Sequence, residues 1–202
     1  MINIIKDVDL YDHLNDYDII LIGTNHYCTM SQGIQLKVML NYPYVQNKNM
    51  ETRYGDPAKL GTILECANDG EPTFCLCFMV NGYNFRPDKN KEFISYEALE
   101  KCLKLVNIRY RGKKIASPLL GVSRFEGNGD RDKIMEIFNN CIKDVDLTIY
   151  DFYDKSRAEQ MKDVWVIERE AFENDRDRYY ELVRKRKAEA EERFKKNGHR
   201  RY

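Results

Sequence analysis

The sequence predicts an α/β protein: a three-layer αβα sandwich around a mixed, mostly parallel sheet, with a charged helical extension at its C-terminal end. Three observations carry this. Short apolar runs, Ile19-Ile20-Leu21-Ile22 and residues 73–80, have the length and composition of buried strands. Segments with helical spacing of apolar residues alternate with them, which favours a parallel sheet with crossover helices. From residue 155 onward Gly and Pro almost vanish, and charges of both signs surround an apolar stripe.

In chain order, residues 1–5 read as the first strand, followed by the acids Asp7 and Asp9. The second strand runs from Ile19 to Ile22, turns at Gly23 and opens into a hydroxyl-rich loop over residues 24–33. A helix with Ile34, Val38 and Leu40 as apolar positions follows. Pro43 is expected to end it, because the residue before proline avoids the helical region. Residues 44–60 are rich in turn formers and read as an excursion. Residues 60–67 form the next strand candidate, Asn68-Asp69-Gly70 a hairpin-like turn, and residues 73–80 a central strand. Ser95 is placed to cap a helix whose apolar face is Leu99, Cys102, Leu103 and Val106. Residues 114–117 form a short strand. A second clear helix carries Ile134, Ile137, Phe138 and Cys141, and residues 145–150 form the last strand.

Acidic and basic residues balance at 33 each, so overall charge points to no partner. Their distribution is uneven: residues 155–202 hold 15 Lys and Arg against 11 Asp and Glu, leaving 18 against 22 in the body. The shift marks a boundary, with residues 1–154 as one domain and 155–202 as a helical extension. In the extension Met161, Val164, Trp165 and Phe172 recur at helical spacing, with a possible break near Asn174. From Arg184 onward nine basic residues face three Glu. A solvated helix end and a contact with nucleic acid or another acidic partner both fit that stretch. The apolar stripe before it fits packing on the body or in a homodimer. Six cysteines show no C-x-x-C pair, and with three His they do not give zinc-ligand spacing. They read as free, mostly buried thiols of a reducing compartment. No targeting or membrane segment is recognised, so the protein reads as cytoplasmic, with no metal and no cofactor expected.

The most informative stretch is residues 18–40. Strand, small-residue loop and helix N-terminus together form the arrangement that cradles phosphates, because backbone N–H groups and the helix dipole point at one spot. Asn25 stands at the strand's exit and can orient a hydroxyl or a water. His26 follows, and neutral His can accept a proton near pH 7. An ordinary strand-to-helix turn with a capping Asn accounts for the same residues. In a doubly wound sheet the ligand lies at the carboxyl ends of the strands. The loops after Ile22, Ser117 and Tyr150 would meet there.

The runs GTNHYCTMSQGIQ, GDPAKLGT and KKIASPLLG, with the glycine-containing loop after them, resemble the macro domain family in order and spacing. The resemblance covers roughly residues 1–152, and is nearest to small bacterial and phage members related to ADP-ribose-1''-phosphate phosphatases. It implies binding of ADP-ribose. Asp9 then stands where the family's adenine-binding Asp ends the first strand, with Asp7 a weaker substitute. Asn25 matches the Asn that contacts the distal ribose. Ser31, Gln32, Gly33 and Ile34 match the loop lining the diphosphate. Pro118 leads into the second phosphate loop, matched by Gly121, Val122, Ser123, Arg124, Phe125 and Gly127. Phe125 would pack on the distal ribose, and Phe152 against adenine.

Two departures qualify the match. The first loop has Ser31-Gln32-Gly33 where the family has several glycines, and the second is longer and carries Arg124 and Glu126. Each missing glycine restricts backbone approach to a phosphate, although Arg124 can pair with a diphosphate instead. Chemistry at the distal ribose needs a positioned water and a polarised leaving group. Asn25 would hold the former, and His26 is a candidate general base or acid. No glycosidase-type carboxylate pair is evident. Cys28 is the one thiol in the loop, and a small buried residue is the simpler reading of it. The expected function is thus hydrolysis of a group from the distal ribose, of the ADP-ribose-1''-phosphate phosphatase, ADP-ribosyl hydrolase or acyl-ADP-ribose hydrolase type. The alternatives are a non-catalytic reader that sequesters such a nucleotide, and an interaction factor working through its basic tail.

Overall fold

The computed structural model describes residues 2–30, 33–82, 92–123 and 127–152, together with Glu181 and Arg184. The chain divides into two units, Met1–Phe152 and Tyr153–Tyr202. The expected helix of the extension lies outside the described residues, apart from Glu181 and Arg184, which are helical and exposed.

The first unit is built on a six-stranded sheet. Its strands are β1 (Ile2–Lys6), β2 (Ile19–Asn25), β3 (Ile63–Cys66), β4 (Phe74–Val80), β5 (Lys114–Pro118) and β6 (Asp146–Asp151). Their order across the sheet is β1-β6-β5-β2-β4-β3. Only the edge strand β3 runs antiparallel, against β4; the other pairings are parallel. This is the mixed, mostly parallel sheet that the alternation of runs predicts.

Period-two alternation sorts each strand's side chains onto two cores. Leu21, Cys75, Cys77, Met79, Ile115 and Ile149 face one side, where Leu99, Leu103, Ile134 and Phe138 cover them from α3 (Tyr96–Arg109) and α4 (Arg131–Cys141). Ile20, Ile22, Phe74 and Leu76 face the other. There they meet Leu10 and Leu14 of a 3-10 segment (Leu10–Asp16), Val38 of α1 (Gly33–Asn41) and Val45 of α2 (Pro43–Met50). β4 is buried along its whole length, as a central strand covered on both faces must be.

Caps fix the helices where the sequence places them. Ser95 accepts from the Ala98 N–H, and Asp130 accepts from the Lys133 N–H at 2.8 Å. Four expectations need correction. Pro43 ends α1 but opens a new helix, since a missing N–H and a fixed φ suit the first helical position; residues 44–50 are therefore helical rather than an excursion. β2 does not turn at Gly23: Gly23 and Thr24 pair with Cys77 and Phe78, and the strand continues to Asn25. Leu40 is 47% exposed, because two residues beyond the buried Val38 lies on the opposite side of a helix. The third strand is also shorter than residues 60–67, starting only at Ile63.

Arg131, the first residue of α4, grips Asp151 at the end of β6 with both guanidinium nitrogens, Nη1 to Oδ1 at 3.0 Å and Nη2 to Oδ2. The pair ties the helix start to the strand end, and it holds the Asp151 carboxyl below the usual Asp value. A carboxyl depressed by folding contributes stability above its unfolded value, about 3.9, and loses it as pH falls through the lower folded value. Urea midpoints measured from pH 5 down to about pH 2 should fall less steeply in Asp151→Asn than in the native protein.

Candidate functional site

The carboxyl ends of the parallel strands β1, β6, β5, β2 and β4 lie along one edge of the sheet. The chain crosses from one side of the sheet to the other around β2, so this edge holds the switch point where α/β sheets take ligands.

At the exit of β2 the side chain of Asn25 organises its own loop. Its Oδ1 accepts from the Tyr27 N–H at 2.9 Å, and its Nδ2 donates to Thr29 Oγ1 at 2.7 Å and more distantly to the Thr29 carbonyl at 3.3 Å. Asn25 thus closes a turn in the loop after β2; it caps no helix, because α1 starts only at Gly33. His26 is only 4% exposed; its ring lies 4.2 Å from that of Tyr27 and its carbonyl accepts from Gly55 N–H. His26 Nδ1 and Thr24 Oγ1 are buried and have no hydrogen-bond partner among the described residues. Unpaired buried polar atoms cost about 1–3 kcal/mol each.

Cys28 adopts φ +54°, the left-handed region. Its carbonyl accepts from Gln46 Nε2, and its sulfur lies 3.1 Å from Lys59 Nζ and 3.3 Å from Thr52 Oγ1. Neither Lys59 nor Thr52 stands out in the sequence. Both are far along the chain from Cys28, and only the packing of α2 and the turn after it brings them in.

At the other end of the edge, Asp9 and Phe152 follow the neighbouring strands β1 and β6, which continue to pair through Asp7 N–H and the Asp151 carbonyl. Asp9 caps the 3-10 segment, accepting from Tyr11 N–H at 3.0 Å, and it forms an ion pair with Lys37 of α1. A carboxylate has about four acceptor positions, so two remain for an incoming donor. Phe152 is 46% exposed, a large apolar face open to solvent. Gly33 opens α1 with φ +55° and open space where a Cβ would be, and Ile34 is half-buried beside it.

At the end of β5, Ser117 donates to the Pro118 carbonyl, and the chain then enters a loop that is hydrogen-bonded within itself. Gly127 and Asn128 N–H donate to the Ser123 carbonyl, and Gly129 N–H donates to that of Gly121. The Gly127 carbonyl in turn accepts from Phe93 and Ile94 N–H. A Cβ on Gly121 would stand 2.3 Å from Ile94 Cδ1, and one on Gly127 would stand 2.6 Å from the Gly121 carbonyl oxygen. These glycines therefore answer a packing demand against Ile94 and the loop's own backbone. Val122 is half-buried against the α3–α4 core. Ser31, Gln32, Arg124 and Phe125 lie outside the described residues.

Asp9, Asn25, His26, Pro118, Gly121 and Phe152 lie at or shortly beyond the carboxyl ends of β1, β2, β5 and β6, and Gly33 and Ile34 open α1. Among the described residues no group of three His, Cys, Asp or Glu is arranged to hold a metal ion, and no helix is long and apolar enough to cross a membrane. A hollow of about 350 Å³ opens at the opposite edge, beside Asp18, Ile19 and Thr73. Its charges are already paired: Glu65 accepts from Tyr110 Oη at 2.8 Å and Arg109 Nε at 3.3 Å, and Lys113 lies 4.0 Å from Asp18.

This architecture is the macrodomain fold. Solved structures similar to this chain include a Bacteroides thetaiotaomicron protein of unknown function (TM-score 0.59, 16% identity, 75% of this chain and 98% of that one). A macrodomain protein from Streptomyces coelicolor has TM-score 0.54 at 14% identity, over 76% of this chain and all of its own. Thermosipho africanus DarTG, solved in complex with ADP-ribose, has TM-score 0.52 at 14% identity, over 73% of this chain and 41% of its own. No protein-family profile matches the sequence, and no curated protein does. At such identities the likeness is one of fold.

The glycine geometry can be tested directly. Gly121→Ala adds a Cβ in the left-handed region (φ +80°) and against Ile94, and should destabilise by about 2–4 kcal/mol. Gly70→Ala is in the left-handed region too (φ +76°) but meets nothing, and should cost about 1 kcal/mol. Urea denaturation of both variants reads the difference.

Proposed function

We propose that the strand-end edge of residues 1–152 binds ADP-ribose or a derivative of it, and that the protein hydrolyses a group from the distal ribose. The observation that carries this reading is the placement, within a macrodomain fold, of Asp9 and Phe152 at one end of that edge and Asn25 and His26 further along it. A fold neighbour was solved holding ADP-ribose at 14% identity. In this reading Asp9 accepts the adenine amino group and the exposed ring of Phe152 lies on the base. The loops beginning at Ser31 and Gly121 line the diphosphate, with Ser31, Gln32, Ser123 and Arg124 as the polar contacts. Val122 and Gly127 belong to that second loop, and Phe125 packs against the distal ribose. His26 serves as general base or acid through the buried Nδ1, which has no partner among the described residues. The leaving group is a phosphate, an acyl group or an ADP-ribosyl-linked residue.

One observation favours a second reading, a reader that binds the nucleotide without turnover. The Asn25 amide is engaged on both sides by Tyr27 and Thr29, which leaves it poorly placed to hold a water.

Calorimetry with ADP-ribose should give a Kd of about 1 µM, roughly −8 kcal/mol. The absence of both heat and a thermal shift at millimolar ADP-ribose would rule out both readings. Phosphate release from ADP-ribose-1''-phosphate separates them. If His26 does the proton transfer, His26→Gln should lower turnover about 10²-fold with little change in Kd.

The extension from residue 155 is proposed as an interaction segment rather than part of the site, since the matched residues all precede residue 153. Deleting residues 155–202 should leave ADP-ribose affinity within about twofold, and should change sedimentation if the apolar stripe joins two copies. Any nucleic-acid binding by the full chain should weaken steeply with salt. A folded truncated protein that no longer binds ADP-ribose would show the division to be wrong.

A further inference from the structure

Six cysteines are free and buried, but their surroundings differ. Burial pushes the Cys66 thiol up to about 12, and it raises Cys141. Hydrogen bonding with Cys102 and Cys75, together with complete burial, holds Cys77 well above the ordinary thiol value. Such thiols are poor nucleophiles. The sulfur of Cys102 faces the carbonyls of Thr62 and Phe78.

Cys28 alone, among the described residues, has an amine against its sulfur: Lys59 Nζ at 3.1 Å. That ammonium has no carboxylate partner among the described residues. Its other polar contact is Thr52 Oγ1 at 3.0 Å, and it lies 5.0 Å above the Phe78 ring. Thr52 Oγ1 donates to the Asn49 carbonyl at 2.7 Å, so its lone pairs are left for Lys59 and Cys28. Sulfur and nitrogen are therefore held side by side by groups from three separate segments. Cys28 is 3% exposed and Lys59 is half-buried, so the cluster meets water on the Lys59 side alone. The cluster tethers the loop after β2 to the turn 31 positions further along the chain.

We propose that Cys28 and Lys59 form an oxidant-dependent covalent bridge, a sulfenamide made when a peroxide oxidises the thiol. In the first step the Cys28 sulfur attacks one peroxide oxygen and the O–O bond breaks. Sulfur loses two electrons and becomes a sulfenic acid, and the peroxide is reduced to water. In the second step Lys59, having given one proton to solvent, attacks the sulfur through its nitrogen lone pair. The S–O bond breaks, the hydroxide leaving group takes the amine's second proton as water, and an S–N bond remains. Thiol, ammonium and peroxide thus give the bridge, two waters and one proton, and the protein loses two hydrogens. The flexible four-carbon stem of lysine allows the nitrogen to close on sulfur. An added thiol attacks the sulfur and releases the amine, so the change is reversible.

The test uses the full reduced chain, treated with hydrogen peroxide at low molar excess and then mapped as tryptic peptides without reductant. The expected result is a peptide pair joined through Cys28 and Lys59, about 2 Da lighter than the sum of its parts, with cleavage at Lys59 lost and restored by dithiothreitol. Lys59→Arg keeps the positive charge but removes the nucleophilic amine. In that variant Cys28 should instead gain about 16 or 32 Da, as sulfenic or sulfinic acid. Circular dichroism before treatment confirms that the variant is folded. The proposal is overturned if Cys28 in the native chain gains oxygen without the joined peptide, or stays unmodified while other cysteines oxidise. It is equally overturned if the Lys59→Arg protein, shown to be folded, still gives a joined Cys28 peptide about 2 Da lighter than its parts, since the amine would then not be the group that captures the sulfenic acid.

Discussion

The side-chain amide of Asn25 is the interaction on which the strand-end edge depends. β2 is buried on both faces from Ile19 to Thr24, so its backbone is satisfied by its neighbours until the sheet runs out. Beyond that point the chain must leave the core without stranding polar groups. Asn25 does this by bonding forward to Tyr27 and Thr29. That local clamp keeps His26 pointing inward and lets Met30 return to the core at 2% exposure. It also tolerates a left-handed Cys28, whose carbonyl and sulfur are then braced by Gln46, Thr52 and Lys59. Each bond contributes only about 1 kcal/mol net. Together they turn five residues into a fixed platform.

Much of the fold is legible in the sequence because its signals are local. Ser95 three residues before Ala98, and Asp130 three before Lys133, are capping patterns with one geometric solution. Residues 74–80 are apolar at every position and become a strand buried at every position. The features that the sequence hides depend on distant partners. Gly23 looks like a turn but is held in the strand by its ladder to Cys77. Pro43 looks like a terminator and is also an initiator, because the same fixed φ serves both roles.

The candidate site is less legible for the same reason. Glycines at 121, 127 and 129 suggest close approach of a phosphate, yet each is required by contacts inside the protein, chiefly with Ile94. Nothing in the spacing between Ile94 and Gly121 announces that contact. Cys28 by itself reads as a small buried residue, which it is; its amine neighbour comes from position 59 and its hydroxyl neighbour from position 52. Asn25 shows how two readings of one residue can hold together. It caps the turn, as a local pattern suggests, and it stands at the strand end, where the macrodomain resemblance places a ribose contact.

Those two roles compete for the same atoms. An amide offers two donors and two acceptor positions. Here Oδ1 already faces the N–H groups of Tyr27 at 2.9 Å and Thr29 at 3.5 Å, and Nδ2 faces Thr29 Oγ1 at 2.7 Å and the Thr29 carbonyl at 3.3 Å. A ribose hydroxyl can bond to Asn25 only by displacing one of these, and the two longest both involve Thr29 backbone atoms. Ligand contact at Asn25 is therefore coupled to the position of Thr29, and the loop and the ligand share one equilibrium. His26 and Thr24 differ in kind, because the orphaned Nδ1 and Oγ1 can accept a polar partner without breaking any bond of the chain. Both atoms are enclosed, so an outside group would reach them only after the loop at Asn25 had yielded.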